Sequence, residues 1–561
     1  MSTLLVGGVF AVWLILSYRI YGRFLARRLF DPDDALPVPS RVRADGLDFH
    51  VARTPVLFGH HFSSIAGAGP IVGPLIGVLA FGWGPSLLWI ALGSVLMGAV
   101  HDYTALMASV RSGGCSVGEI AENSLGRRAR LVLSIFLWAA LVLVIAVFGI
   151  ITAKTFVTQP TIVIPTFGLI GVAMLFGALV LRRGMSLLPG TLVSLSALVG
   201  LIWLGDRFPL NLGPEVFGLP IQTFWFWSLM AYCVLASILP VWLLLQPRDY
   251  LSTWILYVGL GGGLLGLMVA RPDIQAPAFL GTHSGIHGPI WPMLFVMIAC
   301  GAISGFHSLV ASGTTSKQLA RETDGLKIGY GAMILEAGLA GLVVLIAAGA
   351  LAWDSTPAPA LGSFQYLMSD GGGPIVAFAT GFSRLVASLP LLTGPMGLFF
   401  GILMINAFVV TTLDTSTRLA RFILQETASG VPGLGHRWGA TLITVAAAGW
   451  LGASGSYHSI WPVFGATNQL VAALALMVVS SWLMGLKKPR WFTLIPATFM
   501  LITTTGALIW QIRGFLENGH HFLAVSAAVL VGLAGYLTWE ARGLWKPGSD
   551  SSVVSSRPDD S

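Results

Sequence analysis

Charge is the property this 561-residue chain has least of. Only 10% of its residues are charged, 55% are hydrophobic and mean hydropathy is +0.81. A soluble domain carries roughly 25% charged residues, so a soluble fold is excluded. Cysteine is also scarce: Cys115, Cys233 and Cys300 are far apart with no C-x-x-C, which implies neither a disulfide framework nor a zinc knuckle. No G-x-x-x-x-G-K-[ST] loop occurs, which disfavours a nucleotide-driven pump in one chain. Within the apolar runs no two histidines stand four residues apart, so a metal centre on His60, His61 and His307 is disfavoured and no cofactor is expected. The net charge of +7 is spread over short basic clusters between apolar runs, not along one continuous face, which argues against nucleic acid as a partner.

What the chain has in abundance is bilayer-length apolar sequence, about 20 residues at a time. Such runs fall near 4–29, 57–82, 85–110, 130–155, 163–181, 187–204, 224–246, 252–270, 290–316, 328–352, 395–420, 438–453, 460–485, 491–512 and 522–541. They predict an all-α polytopic membrane protein of about 15 transmembrane helices. The first run lies in the segment 1–29, carries Arg19, Arg23, Arg27 and Arg28 toward its far end and has no basic leader or cleavage site. It reads as a retained anchor with its N-terminus outside. Threading from there collects Arg41, Arg53, Arg111, Arg127, Arg248, Lys317, Arg418, Arg437 and Lys487 on the inner side. The C-terminus also falls inside, and few basic residues lie outside, as expected of an inner membrane. Residues 373–390 repeat apolar positions at three- and four-residue steps and are read as an amphipathic surface helix, not a crossing. The polar stretch 30–56 is a cytoplasmic connector, 57–420 the core, 438–541 a set of C-terminal membrane helices and 547–561 a disordered tail.

Two segments do not suit simple anchors. Gly59 to Pro74 holds two histidines, two serines, several glycines and two prolines inside an apolar run. Gly and Pro interrupt a helix, and freed backbone groups cannot face lipid, so this stretch must border a cavity or a ligand. A discontinuous helix is therefore expected around Ala66, Gly67, Ala68 and Gly69, with Ser63 and Ser64 beside it. Ala68-Gly69-Pro70 and Ile238-Leu239-Pro240 lie five crossings apart, the spacing of an inverted repeat. In the second segment, 299–317, Ser304, His307, Ser308 and Ala311 share one helix face. His307 falls near mid-bilayer, where an ionisable group needs a cavity or a partner, and its titration range suits proton coupling. His60 and His61 point about 100 degrees apart, so only one is expected at a given site. Asp102 and Glu336 are further candidates for proton coupling or gating. Asp414 is expected to pair with Arg418 one helical turn on.

Both segments resemble the carbon starvation protein A family of bacterial inner-membrane transporters. The matching residues are Gly59 through Pro70 and Gly305-Phe306-His307-Ser308 through Gln318. Support comes from His101-Asp102-Tyr103, from Leu239 through Tyr250, and from Phe464-Gly465-Ala466-Thr467-Asn468-Gln469-Leu470. The resemblance implies a five-plus-five inverted-repeat (LeuT-like) core that imports peptides or pyruvate, with proton coupling in the latter case. It places a midplane site between the second, seventh and ninth runs. The expected protein is a secondary active importer of a small carboxylate such as pyruvate, using H+. Alternatives are a peptide or amino-acid importer, Na+ as the coupling ion and, from another class, a histidine-ligated membrane metal enzyme. The partners expected are the substrate and the lipid bilayer; oligomeric state is not legible. Ser63, Ser64, Ala66, Gly67, Ala68, Gly69, Ser304, His307 and Ser308 are the expected substrate residues. His60, His61, Asp102, His307 and Glu336 are those expected for coupling. All surround one wet void between residues 60–70 and His307.

Overall fold

The structure is a computed structural model that describes residues 1–545 apart from 357, 391, 429, 455 and 456. The expected tail, 547–561, lies outside the described residues. Helix is the only open form of backbone that satisfies all its own hydrogen bonds in lipid, and the chain is built accordingly. Among the described residues, 12 helices are long and apolar enough to cross a membrane, or 13 when the bent pair Thr54–Ile65 and Gly69–Phe81 is joined. Every one of the 15 apolar runs carries helix, yet the ninth is divided and the twelfth, Arg437–Ala453, has only 17 residues. Two short hairpins, Glu215–Val216 with Leu219–Pro220 and His283–Ser284 with Gly288–Pro289, decorate the connecting loops. The protein is thus an all-helical, multi-pass membrane protein.

Helix Pro374–Val386 is 13 residues long, about 20 Å, too short to cross. Its buried face carries Phe378, Phe382 and Leu385. Phe382 stacks on Phe400, and Ser383 donates to the Gly394 carbonyl at 2.6 Å, which fixes this helix to the start of Gly394–Thr427.

The connector 30–56 is fastened across one end of the bundle. His50 and Ala52 donate backbone bonds to Lys317 and Gln318, Thr54 donates to Asp324, and Asp48 meets Arg418 at 3.1 Å. Glu322 takes two hydrogen bonds from Arg111. Four stretches that are remote in sequence, 48–54, 111, 317–324 and 418, therefore meet at the same end.

Two helices are interrupted at mid-length. In the first, Thr54–Ile65 stops where Ala66 turns to φ −77° and ψ 60°, and Gly69–Phe81 resumes with a 42° bend. In the second, Ile290–Met297 gives way to seven non-helical residues before Gly305–Gly313. The two breaks touch. A Cβ on Gly69 would lie 2.3 Å from Cys300 Sγ, and one on Gly73 would lie 2.4 Å from the Met297 carbonyl oxygen. Only glycine allows backbones this close.

This corrects the expected repeat pairing. Ile221–Ile238 ends before Pro240 and the next helix starts at Leu245, so the proline lies between two spans and interrupts neither. The linker packs on the connector, where Val241 donates to the Leu47 carbonyl and Trp242 Nε1 to that of Gly46. The first break instead meets the break in the ninth run.

Candidate functional site

The second half of the second broken helix carries His307 into the interior. Its Nδ1 donates to Asp102 Oδ2 at 2.9 Å, and its Nε2 lies 3.3 Å from Glu336 Oε2. Asp102 comes from helix Ala99–Arg111 and Glu336 from Gly331–Leu345, so three separate helices supply the group. His101 Nδ1 donates to the other oxygen of Asp102 at 2.8 Å. All four side chains are fully buried. The His307–Glu336 approach lacks hydrogen-bond geometry, and neither Glu336 oxygen has a hydrogen-bond partner. Buried carboxyls are normally hydrogen-bonded, so Glu336 stands out as one left without a hydrogen-bond partner among the described residues.

The two adjacent histidines diverge, as the 100-degree step requires. His61 Nδ1 pairs with Thr315 Oγ1 at 2.8 Å, on the side of the His307 cluster. His60 Nδ1 instead donates to Asp249 Oδ2 at 2.5 Å. Ser64 Oγ donates to the same oxygen at 3.2 Å and lies 3.1 Å from Thr415 Oγ1. Both histidines are thus engaged, in different networks.

A third network corrects the expected Asp414–Arg418 pair. Asp414 Oδ2 accepts from Arg248 Nη1 and, at 2.7 Å, from Tyr232 OH. Arg418 turns instead to Asp48 and to the Ala236 and Leu239 carbonyls. Spacing along one helix made the first pairing available; partners brought in from other helices displaced it.

Around the breaks, Thr412 Oγ1 donates to the Ser64 carbonyl at 3.1 Å and Ser63 reaches Thr411 at 3.5 Å. Asn468, from Tyr457–Gly485, donates to Ser304 Oγ at 2.9 Å and accepts from Phe306 N–H at 2.9 Å, capping the second half-helix. Ser308 donates to the Gly305 carbonyl at the start of its own half-helix. Gly67 N–H is taken by the Ile65 carbonyl at 2.8 Å.

Among the described residues, the segment expected to border an open void toward His307 is closely packed. Residues 60–66 and Ala68 are buried, Gly67 abuts Phe148 and Thr412, and Gly69 abuts Cys300. The peptide is unwound as expected, and it is closed over by its neighbours. Among the described residues, no group of three or more His, Cys, Asp or Glu side chains is arranged to hold a metal ion. Sequence reasoning missed Asp249, Arg248 and Thr415 as site residues. The adjacent Arg248-Asp249 at the mouth of an apolar run was the available signal, since charges there persist only with partners.

The described residues thus form a multi-pass membrane protein in which paired discontinuous helices surround buried ionisable groups. A model of the family described as carbon starvation protein CstA matches residues 2–363 and 355–507, and the chain belongs to this family. The peptide transporter CstA of Campylobacter jejuni is 33% identical over 92% of this chain and 82% of its own. The pyruvate/proton symporter BtsT of Escherichia coli is 31% identical over 89% of this chain and 81% of its own. Among solved structures, MhsT in complex with L-phenylalanine aligns over 87% of this chain and 100% of that one, with 12% identity and a TM-score of 0.48.

Proposed function

We propose that this protein imports a small carboxylate such as pyruvate across a bacterial inner membrane by alternating access, driven by an inward proton gradient. One observation carries the reading: a single buried imidazole, His307, stands between two carboxyls from two other helices. Imidazolium with both carboxylates ionised leaves one net negative charge, which a low-dielectric interior penalises; one further proton removes it. Because His307 rides on the half-helix that begins at the second break, motion of that break alters its distance to Asp102 and Glu336. Proton occupancy and opening of the path are thereby linked.

The cargo carboxylate is received where the broken helices meet. The N-terminal end of Gly69–Phe81 carries partial positive charge, and Ser63, Ser64 and Ser304 are the nearby hydroxyls. The breaks must separate to admit it, so the closed packing described above corresponds to an occluded arrangement. Six unbroken spans separate the two broken helices, which therefore run in opposite senses, as an inverted-repeat core with two additional spans requires. Short peptides are the second reading, favoured by the names of several relatives.

The test is uptake into vesicles reconstituted with the full chain. Labelled pyruvate should accumulate when the outside is acidic and stop when a protonophore collapses the gradient. Accumulation that follows sodium instead would replace the coupling ion, and displacement by dipeptides but not by pyruvate would replace the cargo.

A further inference from the structure

We propose that the inner end of the first helix, Thr3–Leu29, is a binding site for the phosphate of an anionic phospholipid. The helix has 27 residues, about 40 Å, whereas the hydrocarbon layer is about 30 Å thick. Its last two turns therefore stand at headgroup depth, and these turns hold Arg23, Arg27 and Arg28, with Arg19 one turn deeper. Arg19, Arg23 and Arg27 succeed one another at four-residue steps and share a face. Together with Arg28, Ile20 and Phe24 they line an open groove. All four arginines are exposed, and none stands within ion-pair distance of a carboxylate among the described residues.

The groove's apolar side matches the rest of a lipid. Leu16, Ile20 and Phe24 are 48%, 66% and 51% exposed and continue as a strip into the bilayer region, where an acyl chain lies along them. Phe24 packs edge-on against Phe492 at 6.0 Å, which brings the exposed Lys487, Lys488 and Trp491 alongside. Trp at this depth favours the interface, and guanidinium forks grip phosphate bidentately. Loop arginines suffice for orientation. Four arginines within a continuous helix, turned to a lipid-facing groove and lacking acidic partners, suit a phosphodiester held between them.

The experiment uses the purified full chain in phosphatidylcholine nanodiscs doped with cardiolipin, with native mass spectrometry to count retained lipids. The wild type should retain cardiolipin over phosphatidylcholine. The double variant Arg23→Gln/Arg27→Gln should lose retention roughly tenfold or more, Arg23→Lys/Arg27→Lys should retain an intermediate amount, and Arg41→Gln in the connector should behave as wild type. Millimolar inorganic phosphate should not displace the lipid; displacement would assign the arginines to free phosphate and overturn the proposal. Equal retention by the glutamine variant, or no preference for cardiolipin in the wild type, would also overturn it. Should the glutamine variant fail to insert, the lysine variant decides: unchanged retention counts against the site.

Discussion

Two buried charged networks lie in this bundle, and their chemistries differ. Around His307 every charge comes from an imidazole or a carboxyl, groups that gain and lose protons. Around Asp414 the positive charge belongs to Arg248, whose guanidinium does not deprotonate in proteins. The first network sits on a half-helix beside a break; the second joins the starts and middles of unbroken helices. A proton carrier needs removable protons on a movable element, whereas a fixed ion pair in low dielectric holds helices in place. The two neighbouring histidines show the same division, since His61 faces the first network and His60 pairs with Asp249 next to Arg248.

The comparison breaks most visibly through transport. His307→Ala and Glu336→Gln should each reduce proton-driven accumulation to that of empty vesicles while the protein still inserts and purifies. Wild-type uptake and pH dependence in either variant would remove the His307 network from coupling. On the other side, Arg248→Met strands Asp414 in the interior and should cost about 3 to 5 kcal/mol of stability. Thermal unfolding in detergent should register this as a lowered Tm, and Arg248→Met/Asp414→Leu should recover most of it. No recovery would mean that the pair does more than hold helices.

Smaller effects sharpen the account of the breaks. Gly69→Ala places a methyl against Cys300 and should cost about 1 to 3 kcal/mol, with partial relief on adding Cys300→Gly. An unchanged Tm would show that the broken helices are less closely apposed. The least effect is expected from Ser308→Ala, whose hydroxyl only returns to its own helix, at about 0.5 kcal/mol or less and with uptake unaltered. A marked loss of uptake would return Ser308 to the cargo path.

Much of this was legible along the chain. The break at Ala66–Ala68 followed from Gly and Pro in an apolar run, and Glu336 and His307 stood out as ionisable groups deep in theirs. The second break was not anticipated. Cys300-Gly301 through Gly305 reads as a small-residue helix face, and only the close approach of Gly69 and Gly73 gives the unwound form a reason to exist. Pro240 misled in the opposite direction, because a proline between two short-linked spans has the same local signature as one inside a broken span. Asp249 and Arg248 could be suspected, but their partners lie 189 residues before and 166 after them.

By itself, the amino-acid order determined that the chain lives in lipid, which stretches are apolar helix, and which residues were too polar or too irregular for mere anchoring. Those outcomes depend on hydropathy and backbone chemistry, which act within a run of neighbours. Only the tertiary structure decided which break meets which, which carboxyl faces which imidazole, and that the space between them is closed. Such pairings are set by side chains converging from separate helices, and no spacing along a single helix contains that information.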